Sequence, residues 1–251
     1  EFRRVLFRSG VSGEVASTNS LVGSTANDLS ENVSITVLPN GNYVVRIPQW
    51  DHGATADVGA LTWGSGTSGI SGAVSSSNSL VGSTAGDRVG SSGISVVYNG
   101  NFVVGSYFWN ESRGAATWVS GTSGVSGAVS SSNSLVGSTV DDRVGSNSIY
   151  VQSNGNYVVV SNNWDNGAKV NAGAVTWGSG ATGVVGAVSS SNSLVGSSAD
   201  DQVGSRGISG LLNGNYVVLS PDWDNGSIAN VGAATWGSGT GGVSGAVSPS
   251  N

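Results

Sequence analysis

The chain has no cysteine, no methionine and a single histidine among its 251 residues. Without cysteine, disulfides and thiolate metal sites are excluded, and one histidine leaves little for acid–base or imidazole–metal chemistry. Charge is also scarce: 10% of residues are charged and the formal net charge is −6. An acidic balance argues against a nucleic-acid surface, which needs clustered Lys and Arg. No run of 18 apolar residues is present, so no segment reads as a membrane-spanning helix. Proline is rare at 4 residues, and the 41 glycines do not fall at every third position, which excludes collagen. The absence of thiols fits a secreted or surface bacterial protein, in a compartment where free cysteines would mispair. What remains is rich in Gly, Ser, Thr and Asn, a composition compatible with disorder. Eight tryptophans and many regularly spaced valines argue for a packed core instead.

Residues 1–9 read EFRRVLFRS, hold three of the nine basic residues and match nothing downstream. They match an in-frame translation of a common short-read sequencing adapter, and are expected to be an assembly artefact on a metagenomic fragment. The alternative is an Arg-rich amphipathic leader. Removing them takes away three Arg and one Glu and moves the formal charge from −6 to −8. The fold is expected to begin at Gly10, and the natural protein is expected to continue beyond both ends of residues 10–251.

Four landmarks recur in order. SLVGS is led by Leu21, Leu80, Leu135 and Leu194. An NGN triplet begins 19 residues later, at Asn40, Asn99, Asn154 and Asn213. Trp50, Trp109, Trp164 and Trp223 follow after 10 residues, and a Thr-Trp pair ends in Trp63, Trp118, Trp177 and Trp236. The chain is thus an array of four copies of a repeat of about 59 residues. Only the interval between the two tryptophans varies, at 13, 9, 13 and 13 residues. A segment that tolerates deletion is expected to be a surface loop. Fixed intervals are expected where strands pair in register.

Within a copy, ISVVYNGNFVVGS at residues 94–106 reads as two strands joined by Asn-Gly, a strong hairpin signal. GAATW at residues 114–118 is a third strand, and NSLVGS at residues 78–83 a fourth. Gly/Ser stretches such as GSGTSG at residues 64–69 supply turns, and no window shows helical periodicity. The Tyr/Phe-Val-Val run is apolar at consecutive positions, so both faces of that strand must be covered. The expected fold class is all-β: a β-propeller of four-stranded antiparallel blades, four repeats of a larger ring, with a β-solenoid as the alternative.

The stretch LVGSTAGDRVGSSG at residues 80–93, then NGNFVVGS and GAATW, resembles the FG-GAP repeat of integrin α subunits. The resemblance covers all four copies and implies propeller blades. The variant repeats are also similar to those of large bacterial surface proteins of the filamentous-haemagglutinin type. Many FG-GAP blades carry an Asp-rich calcium loop before the second strand. Here that segment is LPNGN, VYNGN, QSNGN or LLNGN, without carboxylates, so calcium binding is not carried over and no metal or cofactor is expected.

His52, beside Asp51, occurs in one copy only and reads as an exposed loop substitution rather than a member of a triad. The G-x-G strings read as turns, not phosphate loops. Asp28, Asp87, Asp142 and Asp201 recur seven residues after each leucine, with Asp141 and Asp200 adding a neighbour in two copies. They read as turn-fixing carboxylates, with a ring of cation or partner contacts as the alternative. Trp63, Trp118, Trp177 and Trp236 are expected to pack between blades. The candidate ligand-binding set borders the variable loop: Trp50 with Asp51, Trp109 with Asn110, Trp164 with Asp165, and Trp223 with Asp224. An aromatic face beside a carboxylate or amide suits sugar binding, and repetition around a rim would add avidity. The favoured reading of the same residues is that the ring plugs the blade edge and Asp-Asn-Gly makes the turn, with ligand binding as the alternative. The expected function is a non-enzymatic module of an extracellular or cell-surface bacterial adhesin contacting a glycan or a host protein. A ligand-free spacer is the alternative, and a hydrolase ranks third.

Overall fold

The computed structural model describes residues 13–251 apart from positions 31, 98 and 147. The segment 1–9 and the Gly10 start therefore lie outside the described residues. The architecture is all-β. No helix among these residues is long and apolar enough to cross a membrane.

Each copy contributes an antiparallel hairpin. In the first copy these are Ser34–Val37 and Tyr43–Ile47, paired antiparallel with Ile35 opposite Val45. The connection is a three-residue loop. Leu38 N–H donates to Asn42 O at 2.8 Å and Gly41 N–H to Leu38 O at 2.9 Å, with Gly41 at φ +84°. This is a turn followed by a left-handed glycine, the G1-bulge solution. Only the glycine of Asn-Gly has positive φ in all four copies, so the asparagine is free for another role. The tryptophan strand, Ala60–Gly64, pairs antiparallel with the hairpin, with Trp63 opposite Val44.

The sheet is then completed by the following copy. Its leucine strand, Ser79–Val81, adds antiparallel, with Leu61 opposite Leu80. Its Gly127–Ala128 segment adds parallel to that strand. The second sheet repeats this order with Gly93–Val96, Phe102–Ser106, Ala115–Val119, Leu135–Val136 and Gly186–Ala187. The third does so with Ser148–Val151, Tyr157–Ser161, Ala174–Gly178, Ser193–Val195 and Gly245–Ala246. The fourth has three strands, Ile208–Gly210, Tyr216–Ser220 and Ala233–Gly237. Leu21–Val22 and Gly72–Ala73 form a separate parallel pair. The two-residue Gly-Ala strand is an addition to the four strands legible in the sequence.

The sheets stack face to face. Leu38, Val44 and Leu61 of the first meet Phe102, Val104 and Ala115 of the second in one buried cluster. Val103 and Ala116 meet Tyr157 and Val159 in the next, and Val160 and Val175 meet Tyr216 and Val218 in the last. The central strands Phe102–Ser106 and Tyr157–Ser161 are buried at every position, as consecutive apolar residues require. Each fully buried Leu, Val or Phe contributes about 1.5–3 kcal/mol. Every strand pairing joins elements of one copy or of copies adjacent in sequence. Trp109–Ser112 has a single helical turn's bond pattern, but Asn110, Glu111 and Ser112 have positive φ, so the four-residue deletion is absorbed by a left-handed turn.

Candidate functional site

The recurring aspartates are buried, at 3, 1, 0 and 0% exposure for Asp28, Asp87, Asp142 and Asp201. An anion can be buried only if its lone pairs are filled, and here backbone amides fill them. Asp142 Oδ2 accepts the N–H groups of Ser138 and Thr139 at 2.7 Å each, and Oδ1 accepts that of Asp165 at 2.9 Å. Asp201 does the same with Ser197, Ser198 and Asp224. Each carboxylate thus fixes the turn after its leucine strand and pins the residue following the loop tryptophan, 23 positions on. Burial raises the Asp142 carboxyl above its ordinary value, against the opposing amides. At Asp28 burial also pushes upward, but the Thr25 hydroxyl and amide, with the Asp51 and Ser24 amides, outweigh it and lower the value.

The candidate ligand-binding residues fall around this carboxylate. The four indoles lie in the core, with Trp50, Trp109, Trp164 and Trp223 exposed by 1, 9, 4 and 6%. A sugar-stacking rim would require these rings to leave the core. Trp50 Nε1–H donates to Ser24 Oγ at 3.2 Å, and its ring stacks on the exposed His52 at 5.3 Å. Beside three of the rings the carboxylate closes its own loop: Asp51, Asp165 and Asp224 accept the N–H of Asp57, Asn171 and Asn230 at 2.8 Å each. Asn110 lacks this bond because its loop is the shortened one, and its N–H goes to Asp87. A polar cleft in the first copy is lined by Ala26, Asn27, Ser30, Gln49, Asp51 and Asp57, and Asp57 is paired there with Arg88 at 3.1 Å.

Of the second tryptophan set, Trp63, Trp118 and Trp177 lie between copies, while Trp236 is exposed. Three donors of one copy converge on a single backbone carbonyl of the next. Gly121 O accepts from Asn40 Nδ2 at 2.8 Å, Asn42 Nδ2 at 2.9 Å and Trp63 Nε1 at 3.0 Å. Gly180 O accepts from Asn99, Asn101 and Trp118, and Gly239 O from Asn154, Asn156 and Trp177. The base of the tryptophan side chain also packs closely against a glycine of the next copy. A Cβ on Gly124 would sit 2.6 Å from Trp63 Cβ, and one on Gly183 would sit 2.6 Å from Trp118 Cβ. The sequence marked these Gly/Ser segments only as turns. Their function as acceptors was hidden because donor and carbonyl are about 60 to 85 residues apart. The available signal was the invariance of both outer asparagines of NGN in all four copies.

Together these define a tandem-repeat all-β protein whose neighbouring units are joined by one repeated seam. The chain belongs to the family described as Repeat of unknown function (DUF5650), which matches residues 7–32, 37–91, 96–146, 151–205 and 210–251. The last four segments each begin three residues before an NGN triplet, so the family divides the chain into five segments where the leucine-led reading has four copies. No curated protein matches the chain.

Proposed function

We propose that the chain is a non-enzymatic array of FG-GAP-like, propeller-type blades from an extracellular or surface adhesin of a bacterium, acting as a structural spacer. The carrying observation is the seam: three successive interfaces use the same two asparagines, tryptophan and glycine carbonyl. Such a design conserves the relation between neighbours rather than any one pocket, which is what a repeat scaffold needs. The recurrent carboxylates support the same reading, because their oxygens are filled by the chain's own amides. Four antiparallel strands in each of the three complete sheets, with both faces covered in the second and third, fit a blade better than a short solenoid coil.

A second reading keeps the loops as a contact for a glycan or a host protein. It is favoured by the polar cleft beside Asp51, which joins the turn after Leu21 to the Trp50 loop. Stretching the whole chain in single-molecule force experiments, with glycan-array screening of the same preparation, separates the two. A spacer gives repeated unfolding events of about 20 nm, one copy each, and no retention on any glycan. Retention that is lost on Asp51→Ala would replace the spacer reading with the binding one.

A further inference from the structure

The dipeptide Asn-Gly occurs six times, and the fold uses it in two ways. In NGN the glycine closes a turn. Gly41, Gly100 and Gly155 donate their N–H groups to Leu38, Val97 and Gln152 O at 2.9 to 3.0 Å. The asparagine before each glycine is held at both ends of its amide. Its Oδ1 accepts the N–H of Asn42, Asn101 or Asn156. Its Nδ2 donates to Gly121, Gly180 or Gly239 O of the next copy.

Asn166-Gly167 and Asn225-Gly226 lie in the loop after the buried tryptophan, and there the asparagine opens the turn instead. Asn166 exchanges backbone bonds with Lys169 at 3.0 and 3.1 Å, and Asn225 does the same with Ile228. A turn closed in this way ties the N–H of its last residue and leaves that of its second residue unbonded. The second residue is Gly167 or Gly226, both exposed, and neither N–H has a partner among the described residues.

We propose that these two loops are sites of spontaneous asparagine deamidation, from which the NGN turns are protected. The Gly167 N–H gives its proton to water or hydroxide, and the nitrogen attacks Cγ of Asn166. The new C–N bond closes a five-membered succinimide, and the old one breaks as Nδ2 leaves in ammonia. Water then opens the ring at either carbonyl. One opening gives aspartate, and the other gives isoaspartate with the chain running through the former side chain. Water is the only co-reactant. A glycine leaves the approach to its nitrogen uncrowded, but the nitrogen reacts only when its N–H is free to lose the proton, and the NGN turn withholds it. Exposure alone does not separate the two classes, since Asn40 and Gly41 are exposed as well. The position of the asparagine in its turn does.

The modification alters a contact between copies. Asn166 Nδ2 donates to Gly196 O at 2.9 Å, which ties the loop of the third copy to the leucine strand of the fourth. Deamidation sets a carboxylate against that carbonyl in place of the donor. The first copy makes the same turn with His52-Gly53, and the second has the shortened loop, so neither carries the reacting pair. The variable loop of the third and fourth copies thus ages, while the seam keeps its neutral amides.

Peptide mapping by mass spectrometry tests this on the full chain after weeks in warm, mildly alkaline buffer, with isoaspartate read by enzymatic methylation. Conversion at Asn166 and Asn225 is expected to exceed that at Asn40, Asn99 and Asn154 by about tenfold or more. In urea, where the turns are lost, all five are expected to convert at similar rates. Three results would each overturn the proposal. One is conversion of the NGN asparagines as fast as Asn166 in the folded chain. Another is an unchanged Asn166 in the folded chain when the same residue converts in urea. The third is a folded-state difference that persists in urea, which would trace it to neighbouring sequence rather than to the turns.

Discussion

Asp87 accepts the backbone N–H of Asn110 through Oδ1 at 2.8 Å, while its Oδ2 accepts those of Ser83 and Thr84, also at 2.8 Å. One buried carboxylate therefore joins the turn after the leucine strand to the loop after the buried tryptophan. Removing it leaves three donors unanswered in a site that is 1% exposed. Asp87→Ala is expected to cost about 3 kcal/mol or more, read as a fall in the urea midpoint. Asp87→Asn retains an acceptor and is expected to cost less.

The seam glycines are required for space as well as for turning. Gly124 and Gly86 both have positive φ, at +68° and +80°, but a Cβ on Gly86 meets nothing within 4 Å. Gly86→Ala is expected to cost about 1–2 kcal/mol from backbone strain alone. Gly124→Ala adds a clash with Trp63, worth about 1–3 kcal/mol more. Equal losses in thermal or urea unfolding would contradict the packing described for the indole.

Trp63→Phe keeps an aromatic side chain beside Gly124 and removes one of the three donors to Gly121 O. The expected loss is about 1 kcal/mol. The matched change Trp236→Phe removes no such bond, since Trp236 faces no following copy, and is expected to be near neutral. A double-mutant cycle with Asn42→Ala should show coupling at Trp63 and none at Trp236.

Equivalent aspartates are shifted in opposite directions from the ordinary value. Asp28, held below the ordinary 3.8, contributes stability above that value and loses it as pH falls through its folded-state value. Asp142, raised above 3.8, does the reverse: its folded form keeps the proton longer than the unfolded chain. Its contribution therefore declines as pH rises from the ordinary value to the folded one. Carbon-13 titration of the side-chain carboxyls should place Asp28 below and Asp142 above free aspartate. At high pH, burial pushes the Tyr216 phenol up to about 12, and that of Tyr157 in the same direction. The unfolded chain ionises these phenols first, so stability should fall from about pH 10 upward.

The local elements were legible because each has its own signal. Asn-Gly between valine-rich runs marked the hairpin, and the fixed interval from Trp118 to Leu135 marked the paired tryptophan and leucine strands. The Gly127–Ala128 strand carried none: two small residues have no alternation, and their partner Leu80 lies 47 positions away. The division of the tryptophans into two kinds was visible, with Trp63 correctly placed between copies. The reading of Trp50 and its equivalents as plugs matches their burial, although Trp-Asp before a glycine also suits an exposed platform. The asparagines of NGN were read for their turn chemistry, and their amides act a whole copy away.

Two identical pentapeptides test the coupling between neighbouring copies most directly. GAATW occurs at residues 114–118 and again at residues 232–236. In the first, Ala115–Val119 is covered by the leucine strand of the next copy, and in the second, Ala233–Gly237 has no such partner. Amide hydrogen exchange at a concentration where the chain is monomeric compares them with sequence held constant. Coupling between neighbours predicts that residues 115–118 exchange far more slowly than residues 233–236. Equal protection of the two would contradict it.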